Sequence, residues 1–183
     1  MPRSAQQFPL ALDASSDEDY DMKDSSPKQD APNPVAVPPV IWAAALALAI
    51  LLEWLVPPDF LPPPLSAVPT VIGVILVLLG LALAIAGART FRTARTNLDP
   101  RQPALVLVEH GPYRITRNPI YVGLLLGFLG IGLIASLDWT IPLLPALWLA
   151  LHHLVVLREE AYLSRRFGAS YDDYRARTRR WLV

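Results

Sequence analysis

Residues 119–157 read PIYVGLLLGFLGIGLIASLDWTIPLLPALWLALHHLVVL, with Asp138 the single acid and no Lys or Arg among them. Two apolar runs, Pro119–Leu137 and Thr140–Leu157, are separated only by Asp138-Trp139. Each has about the 17–25 residues that a helix needs to cross a hydrocarbon layer some 30 Å thick. Neither alternates with a period of two, as a barrel strand would. A two-residue link between such runs predicts a tight antiparallel pair of membrane helices.

Outward from this pair, two further runs have the same character: Val40–Val56, interrupted by Glu53 and closed by Pro57-Pro58, and Ala67–Ala88. The whole chain of 183 residues is 53% hydrophobic and 17% charged, against roughly 25% charged in an ordinary soluble domain. The length suits one domain. There is no Cys, which excludes disulfide scaffolds, thiolate metal sites and catalytic thiols. The expected fold is an all-α integral membrane protein: a four-transmembrane-helix bundle (40–56, 67–88, 119–137, 140–157) with cytosolic C-terminal helices.

The net charge of zero averages two unlike parts. Residues 1–38 hold seven acids against Arg3, Lys23 and Lys28, with many Pro and Ser and few large apolar side chains. That composition cannot offset its ordering entropy, so it reads as a disordered acidic tail preceding a domain over 39–183. It lacks the basic start and apolar core of a signal peptide. The remainder holds thirteen Arg, all in the link 89–118 or the tail after 157, and none in the short connections at 57–66 and 138–139. Basic residues stay cytoplasmic, so the link and both termini are expected inside.

Small residues mark the helix contacts. Gly73, Gly80 and Gly87 recur every seven residues in the second run, and Gly123 and Gly127 are four apart in the third. Such faces let helix backbones approach closely in lipid. In the segment 158–181, Gly168 is read as ending one amphipathic helix and Ser170, followed by Asp173, as capping the next. Tyr171, Tyr174 and Trp181, interleaved with Arg, read as an aromatic membrane interface rather than a nucleic-acid surface. Glu53 reads as snorkelling or hydrated near the outer end of the first helix.

Polar groups retained by a membrane bundle are its functional candidates. Three sets stand out. The first is HGPYRITRNPIYVG at 110–123, where Pro119 suits the first turn of the third helix and Asn118 sits at its N-terminus. The second is Glu159-Glu160 and the third His152-His153. The tight 138–139 turn brings Pro119 and Arg158-Glu159-Glu160 to one membrane face. The resulting pocket of arginines, a helix N-terminus and two carboxylates suits a ligand carrying both an ammonium and a carboxylate. The same charges could instead only pair with one another. Adjacent His on a helix point about 100° apart and chelate poorly, so His152-His153 reads as packing and no metal is expected.

GPYRITRNPIYVG at 111–123 followed by REEAYLSRRFGASYDDYRARTRRWL at 158–182 resembles the isoprenylcysteine carboxyl methyltransferase family in its short prokaryotic form. That family belongs with the phospholipid N-methyltransferases in a wider group of integral-membrane methyltransferases. Gly111, Pro112, Tyr113, Arg114, Arg117, Asn118, Pro119, Tyr121 and Gly123 fill the first pattern, and Glu159, Glu160, Leu163, Phe167, Gly168, Tyr171 and Tyr174 the second. RTNLDP at 95–100 also resembles the family's approach to the first motif, and the likeness extends over about residues 70–183.

The resemblance implies a prokaryotic inner-membrane enzyme that takes S-adenosylmethionine from the cytosolic side. Leu105, Val106, Leu107, Val108, Gly111 and Tyr113 would then line the cofactor pocket. Asn118, Pro119, Ile120 and Tyr121 would wrap the cofactor, Glu159 would meet its ammonium, and Glu160 would support Glu159. Arg117 or Arg158 would position a carboxylate acceptor; Tyr121, His110 or a glutamate would take a proton from an amine acceptor. Eukaryotic carboxyl methyltransferases carry an Arg where Val155 stands, and a His where Asn118 stands, so prenylated proteins do not follow as substrate. The implied partners are the bilayer and a lipophilic or lipid acceptor, with no nucleic acid; oligomeric state is left open. The alternatives are a non-enzymatic membrane scaffold or lipid-binding protein on the same fold, and a relative of the sterol reductases.

Overall fold

The computed structural model describes residues 37–98 and 102–182. The acidic tail expected over 1–38 falls almost wholly outside these residues, as do Asp99, Pro100 and Arg101 of the link. The described chain forms α1 (Pro38–Leu55), α2 (Ala67–Thr93), a 3-10 turn (Gly111–Arg114), α3 (Pro119–Ala135), α4 (Thr140–Leu151), a π-helical segment (His152–Val156), α5 (Leu157–Phe167) and α6 (Ala169–Arg177). From α4 to α5 the helix is continuous, Thr140–Phe167. No β-strand occurs among the described residues, where an isolated pairing of Thr116 with Arg179 stands alone.

Three helices are long and apolar enough to cross a membrane: Pro38–Leu55, Ala67–Thr93 and Thr140–Phe167. The third apolar run forms the shorter helix α3, 17 residues, or about 25 Å at 1.5 Å per residue. It stops two residues before the expected boundary at 137, because Ser136 takes a left-handed conformation (φ 52°) that turns the chain. α1 and α2 turn Leu48, Ile50, Leu51, Trp54, Val71, Ile75 and Leu78 outward. A continuous apolar exterior of this kind suits lipid, not water.

α3 lies against α2 along a glycine seam. A Cβ on Gly80 would come within 2.5 Å of the Gly123 carbonyl oxygen, and one on Gly73 within 2.6 Å of the Gly130 oxygen. The seam on α3 runs over Gly123 and Gly130, and the Gly127 amide nitrogen also lies 3.1 Å from a Cβ on Gly80. At Gly127, the second member of the expected Gly123–Gly127 pair, an added Cβ meets nothing within 4 Å. α1 and α4 close the other side of α3, with Ala49, Phe128, Leu147 and Leu151 buried between them. Trp42 donates its indole N–H to the Leu124 carbonyl at 2.9 Å, tying α1 to α3.

At the end of the bundle away from the arginines, Asp138 is a structural centre and not merely a turn residue. It is buried, and its two oxygens accept the amides of Phe60 and Leu61 at 2.6 and 2.9 Å. Glu53, expected to snorkel or be hydrated, accepts the Trp139 amide at 3.4 Å. Asp138→Ala leaves two amides without partners, each costing about 1–3 kcal/mol. The expected result is a lower thermal midpoint and new protease cleavage within 57–66, read by limited proteolysis in detergent.

The arginine end departs further from expectation. α2 runs on to Thr93, five residues past 88, so Arg89 and Arg92 lie on the helix itself. The break expected at 157 is absent, since α5 continues α4 through the π segment. α6 begins at Ala169, with Gly168 (φ 52°) as its N-cap and no capping by Ser170. The helix ends at Arg177, short of 181. Tyr171 and Tyr174 are buried with Val108 and Tyr113 and do not face a membrane interface.

Candidate functional site

At the arginine end a cavity opens between α2, the link, α3, α5 and α6. Its walls are Phe91 from α2, Asn97, Leu98, Gln102, Ala104, Val106, Leu107, Val108 and Tyr113 from the link, Arg117 and Asn118 before α3, Ile120 and Tyr121 on α3, Glu159, Glu160, Tyr162 and Leu163 on α5, and Tyr171 and Tyr174 on α6.

The link is shaped by its own polar groups. Thr96 Oγ1 accepts the Leu105 amide at 2.9 Å, Asn97 donates to the Pro103 carbonyl at 2.9 Å, and Tyr162 Oη accepts the Ala104 amide at 2.9 Å. These contacts lay 104–108 across the cavity. Gly111 then takes a left-handed conformation (φ 61°), and a Cβ there would lie 3.0 Å from Thr90 Oγ1. The turn sends Tyr113 inward, where it packs edge-on against Phe91 with ring centroids 5.4 Å apart. Tyr174 Oη donates to the Tyr113 carbonyl at 2.8 Å. Burial, before any neighbouring charge, pushes the phenols of Tyr113, Tyr171 and Tyr174 up from their ordinary value, so these walls are neutral.

The two carboxylates play different parts. Glu159 lines the cavity and accepts a hydrogen bond from Tyr121 Oη at 2.6 Å. Among the described residues no cation pairs with it. Glu160 is buried and saturated: Arg180 Nε and Nη2 reach its two oxygens at 2.9 and 2.7 Å, and Arg117 Nη1 lies 3.0 Å from Oε1. The Glu160 hydrogen bond in turn raises the pKa of Arg180 above the ordinary guanidinium value. Arg117 Nη1 also reaches Tyr171 Oη at 3.4 Å, while its buried Nε has no partner.

Of the residues singled out in the sequence, Val106, Leu107, Val108, Tyr113, Arg117, Asn118, Ile120, Tyr121, Glu159 and Glu160 come together in the cavity wall. Leu105, Gly111, Pro119 and Arg158 do not line it. Leu105 is 58% exposed, while Pro119 is buried as the first residue of α3. Arg158 is exposed on the outside of α5, because adjacent helical side chains diverge by about 100° and Glu159 takes the inward position. Phe91, Tyr162, Leu163, Tyr171 and Tyr174 were not assigned to a pocket from the sequence. The three-residue spacing of the last two puts them on one face of α6, the one sequence signal that they act together. His152 stacks on Trp148 with ring centroids 5.4 Å apart and takes no part in the cavity.

The family model for phospholipid methyltransferases matches residues 68–170, more than half of the chain and nearly every wall of the cavity. The chain belongs to the phospholipid methyltransferase family. This is the wider group to which the motifs at 111–123 and 159–174 pointed. Over 72 residues the methyltransferase-family chain is 38% identical to the nickel-cobalt-cadmium resistance protein NccN of Alcaligenes xylosoxydans xylosoxydans, covering 39% of this chain and 33% of that protein. The match thus spans a third of the length of that curated relative. Among the described residues no three His, Cys, Asp or Glu side chains are grouped to hold a metal ion. No solved structure matches.

Proposed function

We propose that this chain is an S-adenosylmethionine-dependent methyltransferase that works at the cytosolic membrane face on a lipid-like or membrane-associated acceptor. The observation that carries the reading is the pairing of a cavity-facing carboxylate, Glu159, which no cation meets among the described residues, with apolar and aromatic walls inside the family match. The donor set fits such a cofactor. Glu159 suits an ammonium, the unpartnered Arg117 Nε suits an anionic group, ring faces tolerate a sulfonium, and the 106–108 strip with Phe91 and Leu163 suits an adenosyl group.

When bound, S-adenosylmethionine supplies an electrophilic methyl group. The protein's part is orientation and exclusion of water. Tyr121 fixes the Glu159 carboxylate by its 2.6 Å bond. The buried tyrosines and the link keep the wall dry, and Arg117 orients an acidic group of ligand or acceptor. Arg158, outside the cavity, is better placed to meet lipid headgroups than the reacting atoms. The thirteen arginines fall in the link and the tail and none in the connections at 57–66 and 138–139, which supports a cytosolic orientation of the cavity, with the third apolar run, α3, completing a four-span bundle. An acceptor then reaches the site laterally from the bilayer.

The test uses the full chain in nanodiscs of mixed phospholipids, with methyl-labelled S-adenosylmethionine. Label extracted into the lipid phase by wild type, and not by Glu159→Gln, supports the reading. Absence of transfer to lipid or to added membrane extract, from protein that binds the donor, supports instead a scaffold that has kept the fold.

A further inference from the structure

After α6 the chain doubles back as a strap, Thr178–Leu182, that never enters the cavity wall yet grips it from behind. The Arg117 amide donates to the Arg179 carbonyl at 2.8 Å. The Thr116 hydroxyl and the Asn118 side-chain amide both donate to the Arg180 carbonyl at 2.9 Å. Trp181 packs near Trp148, with ring centroids 6.0 Å apart. The Arg180 guanidinium closes the strap with its fork on Glu160.

A planar guanidinium prefers to take a carboxylate with two parallel N–H donors. Arg180 already occupies both Glu160 oxygens, so Arg117 meets Glu160 through Nη1 alone and keeps Nε without a partner. Were Arg180 absent, Arg117 would be the remaining cation on Glu160, free to turn its own fork onto that carboxylate and withdraw from the cavity.

We propose that Arg180 is a positioning residue: by occupying both oxygens of Glu160 from outside the cavity, it keeps the Arg117 guanidinium at the cavity wall to orient an anionic group of the ligand. The identity of that ligand rests on the methyltransferase reading. With S-adenosylmethionine as ligand, the anionic group is its carboxylate.

The test measures binding of S-adenosylmethionine and of its decarboxylated analogue to full-length protein in detergent, for wild type, Arg180→Gln, Arg180→Lys and Arg179→Gln. Arg180→Gln is expected to weaken S-adenosylmethionine by about tenfold and the decarboxylated analogue by less than about threefold, since one charge-assisted contact is lost to only one of the two ligands. Arg180→Lys recovers part of the loss, and Arg179→Gln, whose backbone carbonyl remains, matches wild type. Equal weakening of both ligands, or no weakening, overturns the proposal. A folded wild type that binds neither ligand overturns the donor reading instead. A nitroxide on Leu182→Cys, unique in a chain without cysteine, then decides the anchoring: mobilisation by Arg180→Gln supports it, and an unchanged spectrum contradicts it.

Discussion

Glu159→Gln is expected to weaken S-adenosylmethionine binding by about a hundredfold or more, while leaving the protein folded. The amide keeps an oxygen that accepts the Tyr121 hydroxyl, so the local geometry survives. What disappears is the charge opposite an ammonium in a site that excludes water. Truncating one partner of a buried charged pair costs about 2–5 kcal/mol, and every 1.4 kcal/mol is about tenfold in affinity. The neighbouring substitution separates binding from folding. Glu160→Gln takes the shared carboxylate from Arg117 and Arg180, and loss of one partner of a buried pair destabilises by about 3–5 kcal/mol. Its signature is a lowered thermal midpoint. The Glu159 signature is a lost binding isotherm at an unchanged midpoint, and the two are read side by side by calorimetry and a thermal melt.

A second large effect is expected at the α2–α3 seam. Gly123→Ala places a methyl group where the Gly80 carbonyl oxygen already stands, 2.5 Å from the new Cβ, and the Ala84 amide nitrogen lies 3.3 Å away. Backbone atoms at that distance have no rotamer by which to yield, so the two helices must part. Overpacking of this kind costs about 1–3 kcal/mol, occasionally more, and here it also opens the wall that carries Tyr121. Gly127→Ala meets open space. It gains the higher helix propensity of Ala, about 1 kcal/mol in water. Thermal unfolding in detergent should therefore show Gly123→Ala far below wild type and Gly127→Ala at or above it. Reversal of that order would contradict the seam.

These two sites also show what the sequence alone discloses. The apolar runs were legible because lipid imposes one demand, a continuous helical stretch of fixed length, and the arginines sorted themselves to one end. Gly73, Gly80 and Gly87 were legible as a face because they repeat every two turns. Gly123 and Gly127 both meet Gly80 through their backbones, as the four-residue spacing suggests, but only the partner helix determines that the Cβ direction of Gly127 is open and that Gly130, opposite Gly73, extends the seam. Arg158 was placed near the site by adjacency to Glu159, yet neighbours on a helix face different ways. The π segment at His152–Val156 also breaks the α-helical count in the turns just before these residues.

The cavity's outer supports were the least legible. Tyr171 and Tyr174 among arginines have the composition of a membrane interface. What buries them is the turn at Gly168 and the hydrogen bond from Tyr174 to the Tyr113 carbonyl, a contact between residues 61 apart in sequence. Arg180 is one of several tail arginines, and nothing local signals its reach to Glu160. Asp138 looked like a turn residue because nothing local signals that its oxygens hold Phe60 and Leu61. In each case the deciding partner lies far along the chain, where spacing and propensity carry no signal.

The measurement that bears most directly on the central claim is a calorimetric titration of purified, full-length wild-type protein with S-adenosylmethionine, followed by competition with S-adenosylhomocysteine. The expected result is one-to-one binding in the micromolar range, displaced by the demethylated product. The contradictory result is the absence of binding by either compound to protein that unfolds in a single cooperative transition; the cavity between the link and α5 would then not be a methyl-donor site.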